Sequence, residues 1–308
     1  MDRPFKTVDE QIEILHFRGM STDEKTPHIL EREGYYSVVN GYKDLFIDPQ
    51  AKSAAGGEDR FKKGTAFSDL YRLFEFDRDL RMTMFRYFAI AEATLKTVCS
   101  YEFAKAYQLE AEPYLERQNY RLGSRFDRLA GRLIEDFEYI LGKNPNKQPR
   151  FRRQYLEHYL NNHDEVPIWV LMNYLSLGQV FKFYDYQPES LRNAVAKKFT
   201  ELYNETHAKP MRIHDRQLRL IYDHIKDFRN ICAHDERLYC ARVAPSKDVS
   251  LADVLKDLRF VLTKQENARM GKEVMQLILG IANDLDQRIL PFDQMGINTF
   301  EEVFFVSE

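Results

Sequence analysis

The sequence predicts an all-α protein, because three features recur along most of its 308 residues. Apolar residues return at helical spacing in one segment after another, whereas period-two alternation is almost absent. Glycine and proline are scattered and fall between these segments, where they mark loops. The exception is a possible short hairpin near Phe46 and Phe61. Together these observations favour a bundle of amphipathic helices over a protein built on a sheet.

The N-terminal part of the chain predicts a helical and aromatic extension. A first helix is expected over residues 7–19, where Thr7 and Glu10 form a capping signature. An aromatic segment punctuated by two glycines follows at residues 30–42. We therefore expect residues 1–65 to form an extension that packs on the core.

A long amphipathic helix is predicted from Ser68 to about Tyr107, either unbroken or as two helices. Residues 66–308 are expected to form one helical domain with a basic helical insertion near 113–165. Aromatic side chains such as Phe85 are expected in its core, and Trp169 is expected to be a packing anchor at a helix start. Further helices are predicted over residues 114–142, 150–162, 167–186, 188–203, 211–234, 248–260 and 265–289.

Composition and charge narrow the function classes. The net charge is −3 and the pI about 6.3, so nucleic-acid binding would have to use local patches. No apolar run approaches the roughly 18 residues that a membrane span needs, and the N-terminus lacks the apolar segment of a secretory signal. Three cysteines without a Cys-x-x-Cys pair argue against a disulfide framework or a zinc site. A cytoplasmic protein with no membrane partner is expected.

One segment, residues 227–238, gathers side chains suited to handling a phosphate. Arg229 supplies a fixed positive charge, Asn230 a neutral donor and acceptor, and His234 a group that titrates near neutrality. Asn230 and His234 are four residues apart and would share one face of a helix. Arg237 adds a second guanidinium.

Spacing alone does not single out this segment, since Arg-x4-His occurs three times, at Arg153/His158, Arg219/His224 and Arg229/His234. The first pair lies in a run of arginine and tyrosine that is typical of a solvated face. The second is surrounded by bulky residues typical of a helix packed on a core. In the third, small residues precede His234 and would allow a substrate to approach its imidazole.

A metal site is a competing interpretation, because His-Asp dipeptides can ligate metals. Such dipeptides occur at His214, His234 and His163. However, His214, His224 and His234 would be spaced by about 15 Å along a straight helix, too far to share an ion. Neither a metal site nor a cofactor is therefore predicted.

A basic stripe is the third feature of interest. Arg121, Arg125, Arg128 and Arg132 follow helical spacing, and residues 117–153 contain ten Lys and Arg against four Asp and Glu. The stripe is either a solvated helix face or a surface that tracks the phosphates of RNA.

Six segments occur in an order that resembles a known family: Gln11–Gly19, Gly34-Tyr35-Tyr36 with Gly41-Tyr42, Leu73–Arg81 with Glu92, Pro167–Gln179, Arg229–Leu238 and Met295-Gly296. The family is that of the Abi-like bacterial abortive-infection proteins of the AbiD/AbiF type, which belong to the HEPN superfamily. Two departures are present. Cys240 stands where family members often carry Asn, and residues 113–165 cannot be aligned.

The resemblance implies an all-α HEPN bundle and a metal-independent endoribonuclease of phage defence, in some members a toxin restrained by an RNA or protein partner. A homodimer would place two copies of the motif around one RNA phosphate. His234 would act as base or acid, Arg229 would stabilise the phosphorane, and Asn230 would orient phosphate or imidazole. Glu92 and Arg237 would support them.

Three alternatives remain open from the sequence. The chain could be a non-catalytic RNA-binding or regulatory HEPN protein, or a structural helical module that pairs with a nucleotidyltransferase-type antitoxin. A metal phosphohydrolase is the third.

Overall fold

A computed structural model describes residues 4–150, 154–243 and 248–299. These residues form α-helices joined by turns and loops, and they contain no strand or sheet. The all-α prediction is therefore confirmed. At the position of the possible hairpin, Ile47 and Phe61 form only an isolated antiparallel bridge. In the described part of the chain no helix is both long and apolar enough to cross a membrane.

The α-helices are numbered in chain order: α1 Val8–Phe17, α2 Thr26–Glu33, α3 Pro49–Ala54, α4 Phe67–Ala106, α5 Ser124–Leu141, α6 Gln154–Asn162, α7 Ile168–Leu171, α8 Leu177–Asp185, α9 Glu189–Thr206, α10 Asp215–Ala233, α11 Leu251–Leu258, α12 Lys264–Asp284 and α13 Phe292–Met295. Between α2 and α3 the chain forms a π-helical turn, Tyr36–Asn40, and a 3-10 turn, Lys43–Phe46.

Helix α4 is the central element, because α7, α8, α9, α10 and α12 all pack against it. It is one uninterrupted helix of 40 residues, which settles the choice between one helix and two. No glycine or proline interrupts it, and apolar side chains along its length are buried. A straight helix of this length spans about 60 Å, so it contacts most of the domain.

Local signals explain several helix starts. The capping box predicted at Thr7 is present, since its hydroxyl accepts the Glu10 amide and the Glu10 carboxylate accepts the Thr7 amide. Ser176, Ser250 and Thr263 cap α8, α11 and α12 in the same way. These boxes fix where the helices around α4 begin.

The structure departs from the predicted helices in the basic segment. Instead of one helix over residues 114–142, the chain makes 3-10 turns at Pro113–Leu115 and Arg117–Asn119, and α5 begins only at Ser124. Gly123, with φ of 113°, immediately precedes α5 in a conformation that favours glycine.

Two aromatic residues differ from expectation. Phe85, expected in the core, is 36% exposed on α4. Trp169, expected as a packing anchor, is 56% exposed on α7, whereas its neighbours Ile168 and Val170 are buried. Helical spacing identifies which face of a helix is buried but not where that face ends. These two side chains lie beyond its edge.

Candidate active site

The Arg229–His234 motif lies at the C-terminal end of α10. The inward face of this helix is apolar, and Leu218, Tyr222 and Phe228 are fully buried. The motif therefore falls where the helix leaves the core. His234 is the residue that caps the helix, and its amide donates to the Asn230 carbonyl at 2.9 Å.

The side chains of Asn230 and His234 are exposed. Among the described residues, no group makes a hydrogen bond with the His234 imidazole. The imidazole is thus open to a ligand rather than satisfied by the fold.

Arg229 is held against α4. Its Nε lies 3.4 Å from Glu92 Oε2, and its guanidinium lies over the Phe85 ring, 5.5 Å from the centroid. Glu92 also pairs with Lys96, at 2.8 Å. The structure therefore places Glu92 beside Arg229. Phe85 is a further contact that the sequence did not indicate.

A buried ion network behind the motif was missed by the sequence interpretation. The Asp77 carboxylate, fully buried on α4, accepts hydrogen bonds from the amides of Leu238 and Tyr239, from the Tyr42 hydroxyl and from Arg81. Leu238 and Tyr239 follow the motif directly, so Asp77 fixes the course of the chain after α10. An aspartate and an arginine four residues apart on an otherwise apolar helix face were the available signal.

Arg81 connects this network to the motif. It is 3% exposed, and it donates to Asp77 Oδ2 through Nη1 and to Asp235 Oδ1 through Nη2, both at 2.5 Å. Asp235 follows His234 and has a φ of 57°, a left-handed conformation in which Asp is better tolerated than most residues. Burial raises the pKa of the Asp77 carboxyl, and the Arg81 guanidinium opposes that rise.

Arg237 has a structural role in this arrangement. Its Nη1 donates to the Gly41 carbonyl at 2.6 Å and lies 3.3 Å from Asp44. With the Tyr42–Asp77 bond, it ties the aromatic N-terminal segment to the turn after the motif. Arg237 therefore links the turn after the motif to the Gly41 carbonyl and the Asp44 carboxylate.

Cys232, which lies within the motif, does not provide a thiolate nucleophile. Burial raises the pKa of this thiol to about 12, so it is protonated at neutral pH. Among the residues that the structure describes, no three His, Cys, Asp or Glu side chains are grouped closely enough to hold a metal ion.

The other two Arg-x4-His pairs differ in environment. Arg219 pairs with Asp185 at 2.7 Å, and His224 pairs with Asp257 at 2.7 Å. The side chains of this second pair are thus engaged within the fold. His158 is exposed on α6, and its partner in spacing, Arg153, lies outside the described residues.

The structure divides the basic stripe into two parts. Arg125, Arg128 and Arg132 are exposed on α5 and share one face. Arg121 lies before that helix, donates to the carbonyls of Asp185 and Tyr186, and stacks on Phe126 at 4.0 Å. The expected stripe of four helical arginines is therefore three on the helix and one beside it.

Comparison with known proteins gives one finding. The model of the family described as Abi-like protein matches residues 28–240, which include Tyr42, the Asp77 network and the whole Arg229–His234 motif. The chain therefore belongs to the Abi-like protein family, and this membership suggests a role in abortive infection, a form of phage defence. No curated protein and no solved structure matched it.

Proposed function

We propose that this protein is a metal-independent endoribonuclease of the HEPN type, whose active site is completed by a second copy of the chain. The observation that carries the proposal is the exposed His234 imidazole at the end of α10, five residues after an Arg229 that is paired with Glu92. A buried network fixes the backbone on the far side of the histidine. An exposed base on a rigid support is what proton transfer to RNA requires.

The chemistry needs three groups around one phosphate. A base removes the proton of the ribose 2′-hydroxyl, the 2′-oxygen attacks phosphorus, and an acid protonates the departing 5′-oxygen. The products are a 2′,3′-cyclic phosphate and a 5′-hydroxyl. His234 serves as base or acid, Arg229 stabilises the charge of the phosphorane, and Asn230 orients phosphate or imidazole.

A second copy is required because one motif provides one histidine. The surface next to Arg229 supports a homodimer, since Met82 and Phe85 are 71% and 36% exposed on neighbouring turns of α4. Large apolar side chains at a charged site suggest an interface with another protein surface. In a two-fold dimer, both motifs would face one RNA phosphate.

The test is cleavage of RNA by purified protein in the presence of a chelator. Wild-type protein is expected to leave 2′,3′-cyclic phosphate ends, and His234→Ala to reduce kcat at least a hundredfold, the lower range for loss of a general acid or base. His158→Ala, at an exposed histidine on α6, is the matched control. A His234→Ala variant that cleaves at the wild-type rate would refute the mechanism.

The contact between Arg229 and Glu92 favours one alternative. In this alternative the Arg229 guanidinium, whose charge is partly offset by the Glu92 carboxylate, holds α10 against α4 and takes no part in catalysis or in RNA binding. A regulatory protein that acts through an RNA or protein partner would then shift RNA on a gel without cleaving it. In that case Arg229→Ala would leave the shift unchanged.

A further inference from the structure

A second polar cluster lies at the junction between α8 and α9, beside the segment that precedes α5. We call it the arginine cluster and define it as Arg117, Arg121, Arg192 and Arg219 with Gln187. Arg121 and Arg219 meet at Asp185: the first donates to its carbonyl at 3.3 Å and the second to its carboxylate at 2.7 Å.

The remaining members of the arginine cluster are linked to the same place. Arg117 donates to the Arg121 carbonyl at 2.7 Å. Gln187 follows Tyr186, whose carbonyl accepts the Arg121 amide. Arg192, one turn into α9, lies 3.4 Å from Asp215. Guanidinium groups from the segment before α5, from α9 and from α10 therefore lie around the junction of α8 and α9.

The arginine cluster has an excess of positive charge. Its ion pairs use three carboxylates, Asp127, Asp185 and Asp215, while Arg125 adds a fifth guanidinium next to Phe126. Burial lowers the pKa of Arg121, and the charges of Arg192 and Arg219 lower it further. Like charges held this close favour binding of an anion.

Several buried polar atoms of the cluster have no hydrogen-bond partner among the described residues. Gln187 is 2% exposed, and both its Nε2 and its Oε1 are unpaired. Nε of Arg192, a residue that is 9% exposed, is unpaired too, as are Nε and Nη1 of Arg117. Buried polar groups are nearly always hydrogen-bonded. Because all but one of these atoms are donors, an oxyanion is the complementary ligand.

The surroundings of the arginine cluster indicate that its ligand is a polymer rather than a free ion. Arg125, Arg128 and Arg132 continue from it along the exposed face of α5. In the other direction, Arg219 stands ten residues before Arg229 on α10, a separation of about 15 Å. A linear row of cations that extends from a partly buried site suits a strand with regularly spaced phosphates.

We propose that the arginine cluster binds one phosphodiester of a single-stranded RNA, and that Arg125, Arg128 and Arg132 contact phosphates farther along the same strand. The identity of the ligand as RNA rests on the proposed function. The site itself is separate from His234, so binding can be measured without cleavage.

The experiment measures binding of a fluorescent single-stranded RNA of about 15 nucleotides to the intact His234→Ala protein over a range of salt concentrations. Arg121→Gln and Arg219→Gln, each added to that background, are expected to weaken binding about tenfold. Each should also reduce the slope of log K against log salt by about 0.7, the value for one phosphate contact with a single strand. Arg269→Gln, at an exposed arginine on α12, removes the same charge elsewhere and should change neither quantity.

Inorganic phosphate and a second variant separate the possible outcomes. Phosphate should raise the melting temperature of the His234→Ala protein but not that of the Arg121→Gln/Arg219→Gln double variant. Gln187→Met should melt at the same or a higher temperature without ligand, because it removes unpaired polar atoms, yet bind RNA more weakly. Wild-type affinity and slope in both arginine variants would overturn the proposal. Stabilisation by phosphate with an unchanged RNA slope would overturn the assignment to RNA.

Discussion

At the scale of single residues, Glu92 is the side chain whose role in the motif is most directly testable. Its carboxylate lies beside Arg229 and also pairs with Lys96. Glu92→Gln keeps the shape and removes the charge, so Arg229 should be less well oriented. If the proposed nuclease is active, kcat should fall about tenfold, which corresponds to about 1.4 kcal/mol, with little change in KM.

The matched control for this variant is Asp79→Asn, because Asp79 is an exposed carboxylate on the same helix. A rise in KM with an unchanged kcat in Glu92→Gln would indicate that the carboxylate affects substrate binding rather than the transition state.

His224 provides a prediction about pH. Its hydrogen bond to Asp257 raises the pKa of the imidazole above its ordinary value. The stabilisation is therefore fully present below the unfolded pKa of about 6.5 and is lost as pH rises through the higher folded value. Chemical unfolding of wild type and His224→Gln should differ most at pH 5 and converge toward pH 9. His158→Gln, at an exposed histidine on α6, is the matched control for loss of an imidazole.

At the scale of elements, the end of α10 depends on the left-handed conformation of Asp235. Asp235→Asn should be tolerated by the backbone, since Asn adopts this conformation readily, although it loses the ionic bond to Arg81. Asp235→Val should be less stable than Asp235→Asn by about 1–3 kcal/mol, because a β-branched residue is strained there. Urea unfolding of the two variants measures the difference. Equal stability would show that the conformation at this position is unimportant.

The elements that could be predicted from the sequence are those specified by local signals. The α1 capping box and the uninterrupted apolar spacing of α4 need only neighbouring residues. Arg121 was misplaced on a helix because the 3-10 turns before α5 place it against Tyr186, far along the chain. The role of Asp77 was missed for the same reason, since its partners Leu238 and Tyr239 are more than 160 residues away.

The sequence predicts the part of the candidate site that lies within one segment of the chain. Arg229 and Asn230 lie near the end of α10 and His234 caps it, so their proximity follows from helical spacing. Their environment does not, because the contacts of Arg229 with Phe85 and Glu92 depend on how α4 and α10 pack. The exposed Phe85 was expected in the core because periodicity identifies a face but not its edges.

At the scale of the whole molecule, the proposed composite site predicts interference between copies. Wild type is mixed with a fivefold excess of His234→Ala under conditions in which subunits exchange. The activity should fall below that of wild type diluted to the same concentration, because most wild-type chains would join a partner that lacks the second histidine. The same excess of a chain carrying His234→Ala with Met82→Glu and Phe85→Glu should interfere less, since these substitutions place charge on the exposed apolar face of α4. Activity proportional to wild-type protein in both mixtures would argue against a shared site.

The bonds from the amides of Leu238 and Tyr239 to the buried Asp77 have a consequence for hydrogen exchange. These amides lie outside any helix, in a segment that would ordinarily open without disturbing the rest of the fold. Here, opening would strip two donors from a buried carboxylate, so exchange should require disruption of the packing between α4 and this turn. We expect both amides to exchange with deuterium as slowly as those inside α4, and to become fast in Asp77→Ala. The backbone beside the proposed histidine would then share the lifetime of the core.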